Sequence, residues 1–162
     1  DLSTTYNRGK AVDGGGLFRS EFDIAHPLVT LTYDDQDDCY GLDPFVFSYE
    51  AYQNTGAFDS DRDFGYLVGA LYGPAMKTKH QWDWAIWYLW VDIQQDAVMS
   101  IVANGDFLSA TNFRGHTMGL IFFPIEGNAR INAGFYSDEP VDRMGGTGKM
   151  QWRFRTDVVI SF

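Results

Sequence analysis

Residues 149–162 read Lys-Met-Gln-Trp-Arg-Phe-Arg-Thr-Asp-Val-Val-Ile-Ser-Phe. Every second side chain from Met150 onward is apolar, with Thr156 as the one break. The other parity carries two arginines and Asp157. Because successive side chains of a β-strand point to opposite faces, this alternation predicts a strand with one apolar face and one polar face.

The same stretch has the length and the face contrast of a strand that crosses a lipid bilayer. A tilted transmembrane strand needs roughly 9–11 residues. Two arginines and an aspartate on one face are unusual for a core strand of a soluble protein. Strands of outer-membrane barrels, in contrast, alternate between lipid-facing apolar and interior polar side chains. We therefore expect residues 149–162 to form a transmembrane strand.

The composition favours a folded, aromatic-rich β-protein. The chain has 162 residues, of which 45% are hydrophobic, so a disordered chain is excluded. The aromatic fraction of 17% is high, and aromatic side chains favour strands and membrane–water interfaces. A rigid, aromatic-rich soluble β-protein is the alternative that composition leaves open.

Charge and cysteine content narrow the classes of partner and fold. The formal net charge of −10 argues against a nucleic-acid partner, because phosphate binding needs a basic surface. Cys39 is the single cysteine, so the chain forms no internal disulfide. No apolar run reaches the 18 or more residues of a transmembrane helix, and no signal peptide opens the chain. We expect that the numbering starts at a mature terminus or that the chain is part of a longer one.

Strand-like stretches recur between clusters of Gly, Asp and Asn, and no helical period competes with them. Residues 1–16 have poor strand character, and residues 17–162 read as antiparallel strands of a single domain. Seven stretches are predicted as strands, at about 21–33, 43–53, 63–73, 80–95, 111–123, 128–137 and 149–162. Bacterial barrels have even strand counts. Residues 2–8 could supply an eighth strand, or strands are missing from this chain.

Parity within these stretches assigns side chains to lipid or to the interior. The predicted lipid-facing set is Phe45, Phe47, Tyr49, Trp82, Trp84, Ile86, Trp152, Phe154, Val158 and Ile160. The predicted pore-lining set is Glu50, Arg130, Asn132, Gln151, Arg153, Arg155 and Asp157. The arginines form a positive wall if their face lines a lumen, or they pair with Asp157 or Glu50 in a packed interior.

The connections alternate between long and short, as in outer-membrane barrels. If the chain ends at the periplasm, the extracellular loops lie near residues 54–62, 96–110 and 138–148. The periplasmic turns then lie near residues 34–42, 74–79 and 124–127.

Several ordered segments resemble a family of bacterial outer-membrane porins. They are Pro44 to Thr55, the run from Trp84 to Val98, Gly105-Asp106-Phe107, and Thr111 to His116, in which Arg114 stands for the family's usual Lys. Phe162 is similar to the outer-membrane assembly signal. The resemblance covers roughly residues 20–162 and matches only the C-terminal part of the longer family members. It implies a fragment of a larger transmembrane barrel.

Other motifs are weak. Residues 145–149, Gly-Gly-Thr-Gly-Lys, fail the phosphate-loop pattern because Arg143 and Met150 stand at required positions. Asp59, Asp61 and Asp63 begin like a calcium loop, but the Gly and Glu that the motif requires are missing. The acidic run at 34–38 is a second weak cation candidate. The three histidines lack metal-ligand spacing. We expect no cofactor and no catalytic residue.

The sequence thus predicts an all-β, antiparallel transmembrane barrel with about seven or eight strands in this chain, part of a larger barrel. The expected function is passive diffusion of small polar solutes or ions across the outer membrane of a Gram-negative bacterium. Outer-membrane lipid and the solutes would be its partners, together with further copies of the chain if it forms a homo-oligomer. Two alternatives remain: a soluble lipocalin-like barrel that binds an apolar ligand, and a pore-less outer-membrane anchor or adhesin.

Overall fold

The computed structural model describes residues 23–34, 41–57, 60–97, 112–141 and 149–161. Within them, helix is limited to two 3₁₀ turns, Ser60–Arg62 and Pro74–Met76. The strands are β1 Ile24–Ala25, β2 Leu28–Tyr33, β3 Phe45–Asn54, β4 Phe64–Tyr72, β5 Trp84–Ile93, β6 Phe113–Ile125, β7 Ala129–Pro140 and β8 Gln151–Ile160. The all-β prediction is therefore confirmed.

All eight strands belong to one antiparallel sheet. From β3 to β8, each strand pairs with the next along the chain, while β1 and β2 lie end to end against β3. In the described part of the chain, β2 pairs with β3 and β8 pairs with β7, so both outer edges are open there. The sheet is not closed into a barrel within these residues.

The first predicted strand, 21–33, is divided at Pro27. Proline has no N–H for the ladder and is confined to edges or breaks of a sheet. The Pro27 carbonyl still accepts a hydrogen bond of 3.1 Å from the Ala51 N–H. The chain therefore continues along β3 after a two-residue interruption, which the sequence pattern alone did not predict.

Strands β3 to β8 contain between 9 and 13 residues each. Strands of soluble domains average about 5–6 residues, whereas a tilted strand needs roughly 9–11 to cross a bilayer. The sheet is therefore unusually long in the direction parallel to its strands.

The predicted start of the strand 80–95 was wrong by four residues, because the observed strand β5 begins at Trp84. Trp82 lies in the preceding connection with a φ of 74°. A bulky residue is uncommon at positive φ. The Trp82 N–H donates to the Phe123 carbonyl at 2.7 Å, and the Phe123 N–H donates to the Asp83 carbonyl at 2.9 Å. The connection 73–83 is thereby held against β6, beside the register shift between Phe122 and Ile125.

The strand register gives the sheet two faces of different character. One continuous cross-strand row reads Leu31, Phe47, Ala70, Tyr88, Met118, Phe135 and Phe154. The adjacent row on the other side reads Thr30, Ser48, Gly69, Leu89, Thr117, Tyr136 and Arg153. We call the faces that carry these two rows the apolar face and the mixed face.

A small core lies on the mixed face at the end of the sheet where the connections 55–63 and 94–112 emerge. Val91, Ile93, Ala97 and Phe113 are fully buried there. Leu67, Leu89, Ile24 and Tyr52 pack against them. We call this end of the sheet the loop end, and the opposite end, with the connection 126–128, the turn end.

Asn54 joins three segments at the loop end. Its side chain is fully buried. Its Oδ1 accepts hydrogen bonds from the Asp23 N–H at 3.0 Å and the Gly56 N–H at 3.1 Å, and its Nδ2 donates to the Asp96 carbonyl at 2.8 Å. The start of β1 and the segment after β5 are thus fixed to the end of β3.

Candidate functional site on the mixed face

The pore-lining candidates all lie on the mixed face, but they do not form a single cluster. Six of them are on β7 and β8, namely Arg130, Asn132, Gln151, Arg153, Arg155 and Asp157, with Asn132 and Asp157 as direct cross-strand partners. Glu50 is on β3, with three strands between it and β7. Its carboxylate contacts His26 at 3.4 Å and accepts a hydrogen bond from the Tyr52 hydroxyl at 2.5 Å. Glu50 is therefore remote from the arginines.

Arg155 and Asp157 form an ion pair along one strand. The Arg155 Nε lies 2.8 Å from one carboxylate oxygen of Asp157 and donates to the other at 3.1 Å. Both side chains are about half exposed. Exposed ion pairs contribute about 0–1 kcal/mol, so this contact orients the two groups more than it stabilises the sheet.

Arg153 is held differently. Its guanidinium carbon lies 4.5 Å from the centre of the Tyr136 ring, a cation–π arrangement. Its Nε and Nη2 are buried and have no hydrogen-bond partner among the described residues. The Thr117 Oγ1 and the Asn132 Oδ1, on the same face, are likewise buried without such a partner there. Buried polar atoms of this kind are ordinarily satisfied by water or by a ligand.

Two glycines make room for aromatic rings on this face. A Cβ atom at Gly119 would lie 2.6 Å from the Trp87 Cζ2, and one at Gly134 would lie 3.0 Å from the Tyr136 Cε2. The two rings are 6.2 Å apart and tilted by 58°. The aromatic side chains therefore lie over the sheet, where glycine leaves space for them.

These aromatic and glycine positions were missed by the sequence reading. A usable signal was present: Gly115 and Gly119 share one parity of β6, and Trp87 is the cross-strand partner of Gly119.

On the apolar face, nine of the ten predicted lipid-facing residues occupy strands, and Trp82 lies in the connection before β5. Many are strongly exposed, with Trp152 at 70% and Phe154 at 71%. The Trp82 ring lies 5.8 Å from that of Phe122, so it extends the same face at the turn end. Whether this face contacts lipid stays a prediction.

Aromatic and charged side chains border the apolar face at the loop end. The Trp90 ring lies 4.4 Å from that of His116, and the Trp90 Nε1 donates to the Tyr66 hydroxyl at 3.2 Å. One row further out, Arg114 pairs across the sheet with Asp92 and lies 3.6 Å from a carboxylate oxygen of Glu139. Aromatic belts beside a charged rim are typical of membrane–water interfaces.

The apolar face also contains an open groove of about 560 Å³. Small residues, Ala70, Gly119 and Ala133, lie among larger ones such as Tyr72, Leu120 and Phe135 along its lining. An apolar molecule could occupy such a depression.

The weak cation candidates acquire structural partners where they are described. Asp63 is nearly buried and its Oδ2 accepts a hydrogen bond of 2.6 Å from the Gln53 Nε2. Asp34 lies 3.0 Å from the Lys77 Nζ. The described residues contain no group of three or more His, Cys, Asp or Glu side chains that could hold a metal ion. Asp59 and Phe162 lie outside the described residues.

No protein-family model, curated protein or solved structure matches this chain. Its resemblance to the porin family therefore stays a prediction. No helix among the described residues is long and apolar enough to cross a membrane.

Proposed function

We propose that this chain forms part of an outer-membrane β-barrel channel through which small polar solutes or ions diffuse passively. The apolar face would contact lipid and the mixed face would line the water-filled interior. The bacterial outer membrane would be its location. Passage through the channel would involve no chemical step, and its selectivity would depend on the charges and the width of the lumen.

The proposal rests on one observation: the strand register places large apolar side chains on one face of the sheet and the arginines on the other. Large apolar side chains on the apolar face, such as Leu31, Phe154 and Val158, are more than half exposed. The arginines of β7 and β8 lie on the mixed face. A soluble protein seldom exposes a contiguous apolar face of this extent, whereas lipid covers such a face without cost.

The long strands and the open edges support the same reading. A sheet edge exposed to lipid leaves backbone groups unsatisfied at several kcal/mol each, so a membrane sheet requires closure by further strands. The resemblance to C-terminal segments of longer porins agrees with a sheet that is one part of a wider barrel. Only a wide barrel leaves an aqueous lumen, since about eight strands are filled by their own side chains.

A second candidate is an apolar-ligand binder, favoured by the groove of about 560 Å³ on the apolar face. In that case the apolar face would curve inward around a ligand and the arginines would face bulk water. The two candidates therefore differ in whether the apolar face contacts lipid.

Single-tryptophan variants decide between them. One variant keeps Trp152 on the apolar face and the other keeps Trp87 on the mixed face, with the remaining tryptophans changed to Phe. In vesicles whose acyl chains carry bromine, we expect Trp152 fluorescence to be strongly quenched and Trp87 fluorescence to be nearly unchanged. Equal quenching of the two variants, or none, would contradict the lipid-facing assignment.

Conductance separates a channel from a pore-less anchor. The protein in planar bilayers should give steps of stable ionic current. Lipid quenching of Trp152 without any current would support the anchor or adhesin instead.

A further inference from the structure

The apolar groove and a smaller polar recess lie next to each other on the apolar face. The groove, of about 560 Å³, is lined by residues of β4 to β8, among them Tyr88 and Met118. The recess, of about 40 Å³, lies closer to the loop end, and Arg114 and His116 contribute to its wall. His116 precedes Met118 by two residues on β6, so the recess begins about 7 Å from the groove along the strand.

A hydrogen bond joins the walls of the two depressions. The Tyr88 hydroxyl, in the wall of the groove, lies 2.7 Å from the Nδ1 of His116, in the wall of the recess. The His116 ring lies 4.4 Å from that of Trp90, which also lines the recess. The groove and the recess are therefore parts of one surface, which is apolar in the groove and polar in the recess.

The recess carries charges of both signs. Arg114 and Glu139 are cross-strand partners, and the Arg114 Nε lies 3.6 Å from the Glu139 Oε1, which is too long for a hydrogen bond. Each of the two side chains is 42% exposed. Asp92 is the cross-strand partner of Arg114 on the other side. One partly exposed guanidinium therefore lies between two carboxylates.

This combination of shape and charge fits an amphiphile whose head group carries both signs. Apolar pockets of about 300–1,000 Å³ with a few polar groups are typical of small-molecule sites. A guanidinium pairs with phosphate, while a carboxylate and an aromatic face attract an ammonium group. A purely anionic head group would meet two carboxylates and one guanidinium. A zwitterionic head group places each of its charges beside an opposite one.

We propose that the groove and the recess form one binding site for a zwitterionic phospholipid. An acyl chain lies in the groove, the phosphate lies beside Arg114 and His116, and the ammonium group lies beside Glu139 and the Trp90 ring. The arginines of β7 and β8 are on the opposite face, so this inference goes beyond the proposed channel. Selection of the head group distinguishes such a site from the lipid that covers any apolar face.

Native mass spectrometry of the protein released from non-ionic detergent micelles measures this selection. Palmitoyl lysophosphatidylcholine and palmitoyl lysophosphatidylglycerol share the chain and the phosphate, and only the first carries an ammonium group. We expect lysophosphatidylcholine to bind roughly fivefold more tightly, the factor for one charge pair at close range in water. Equal binding of the two lysolipids, or tighter binding of lysophosphatidylglycerol, would overturn the proposal.

Two glutamate variants test whether the recess makes the selection. Glu139→Gln removes the carboxylate from the recess, so the preference for lysophosphatidylcholine should disappear. Glu126→Gln is the matched control, because Glu126 also lies beside a histidine, at 3.0 Å from the His80 Nδ1, but at the turn end. This control should keep the preference. An equal change in the two variants, or an unchanged preference in Glu139→Gln, would contradict the assigned role of the recess.

Two apolar variants test the groove. Ala133→Leu enlarges a side chain in the lining, and Val158→Leu enlarges one elsewhere on the apolar face. We expect Ala133→Leu to weaken the binding of both lysolipids about tenfold, because roughly two methylene groups of the chain lose their contacts. Val158→Leu should leave binding unchanged. The same effect in both variants would mean that the chain does not lie in the groove.

Photo-crosslinking locates the chain in the unmodified protein. Lysophosphatidylcholine with a diazirine at the end of its acyl chain should attach to lining residues such as Ile86 and Leu120. It should not attach to Val158 or Ile160, which lie on the apolar face outside the groove. Attachment spread evenly over the apolar face would overturn the proposal.

The outcomes also separate this inference from the proposed function. A protein that selects lysophosphatidylcholine as expected but gives no current in planar bilayers contradicts only the channel. A protein that conducts ions but binds the two lysolipids equally contradicts only the phospholipid site.

Discussion

At the scale of single residues, the glycines of the mixed face set how closely aromatic rings approach the sheet. A Cβ at Gly119 would meet the Trp87 ring at 2.6 and 2.7 Å and would also clash with the Ala133 carbonyl oxygen. We expect Gly119→Ala to lower the free energy of unfolding by about 1–3 kcal/mol, the usual cost of overpacking. Urea unfolding of the protein in lipid vesicles measures this loss.

Gly134→Ala is the matched control for that substitution. At Gly134 the added Cβ would meet only side-chain atoms, at 3.0 to 3.3 Å from Tyr136 and Trp87, which can move by a few tenths of an ångström. We expect a smaller loss than at Gly119. A larger loss at Gly134 would show that the rings do not pack over the sheet as described.

Asn54 gives a second prediction at this scale. Asn54→Ala removes the acceptor for the Asp23 and Gly56 amides, so hydrogen exchange at both amides should accelerate. Asn54→Asp keeps an acceptor oxygen and loses the donor to Asp96, so it should retain protection at Asp23 and Gly56. Equal acceleration in the two variants would mean that the side-chain oxygen is not what holds the two segments.

At the scale of elements, side-chain alternation was predicted well and the breaks were not. The seven predicted strands all correspond to observed ones, although the stretch 111–123 has no clear period of two. The division at Pro27 and the late start of β5 at Trp84 depend on partners in β3 and β6. Such tertiary hydrogen bonds leave no periodic signal in the chain.

The alternation of β8 supports a prediction with a neighbouring control. Val158 lies on the apolar face and is 61% exposed, while Val159 lies on the mixed face and is 43% exposed. Val158→Arg should reduce folding into vesicles by about 2–4 kcal/mol if the site lies near the bilayer midplane. Val159→Arg should cost much less, since its side chain would reach water.

Folding into lipid can be followed by the change in electrophoretic mobility between heated and unheated samples. The same loss in both variants would remove the evidence for a lipid-facing side of β8. A normal yield of folded Val158→Arg would contradict the membrane assignment of this strand altogether.

At the scale of the whole molecule, the sequence predicted which residues share a face but not which residues meet. Parity placed Glu50 and the arginines on one side, yet three strands separate them. The contact of Arg153 with Tyr136 depends on the register between β7 and β8, which is fixed by the pairing of whole strands. A positive wall could therefore be predicted, but its extent across β7 and β8 could not.

That wall leads to a prediction about ion selectivity. If the mixed face lines a lumen, Arg153→Gln removes one positive charge from it. Two unit charges at close range in water interact with about 1 kcal/mol. We therefore expect the anion-to-cation permeability ratio to fall roughly fivefold. Arg114→Gln is the control, because Arg114 carries the same charge on the apolar face, beside Glu139. Reversal potentials in asymmetric salt across planar bilayers measure both variants. The effect should shrink at 1 M salt, where charges are screened within about 3 Å. If Arg114→Gln changes the ratio as much as Arg153→Gln does, the arginines of β7 and β8 do not line the path of the ions.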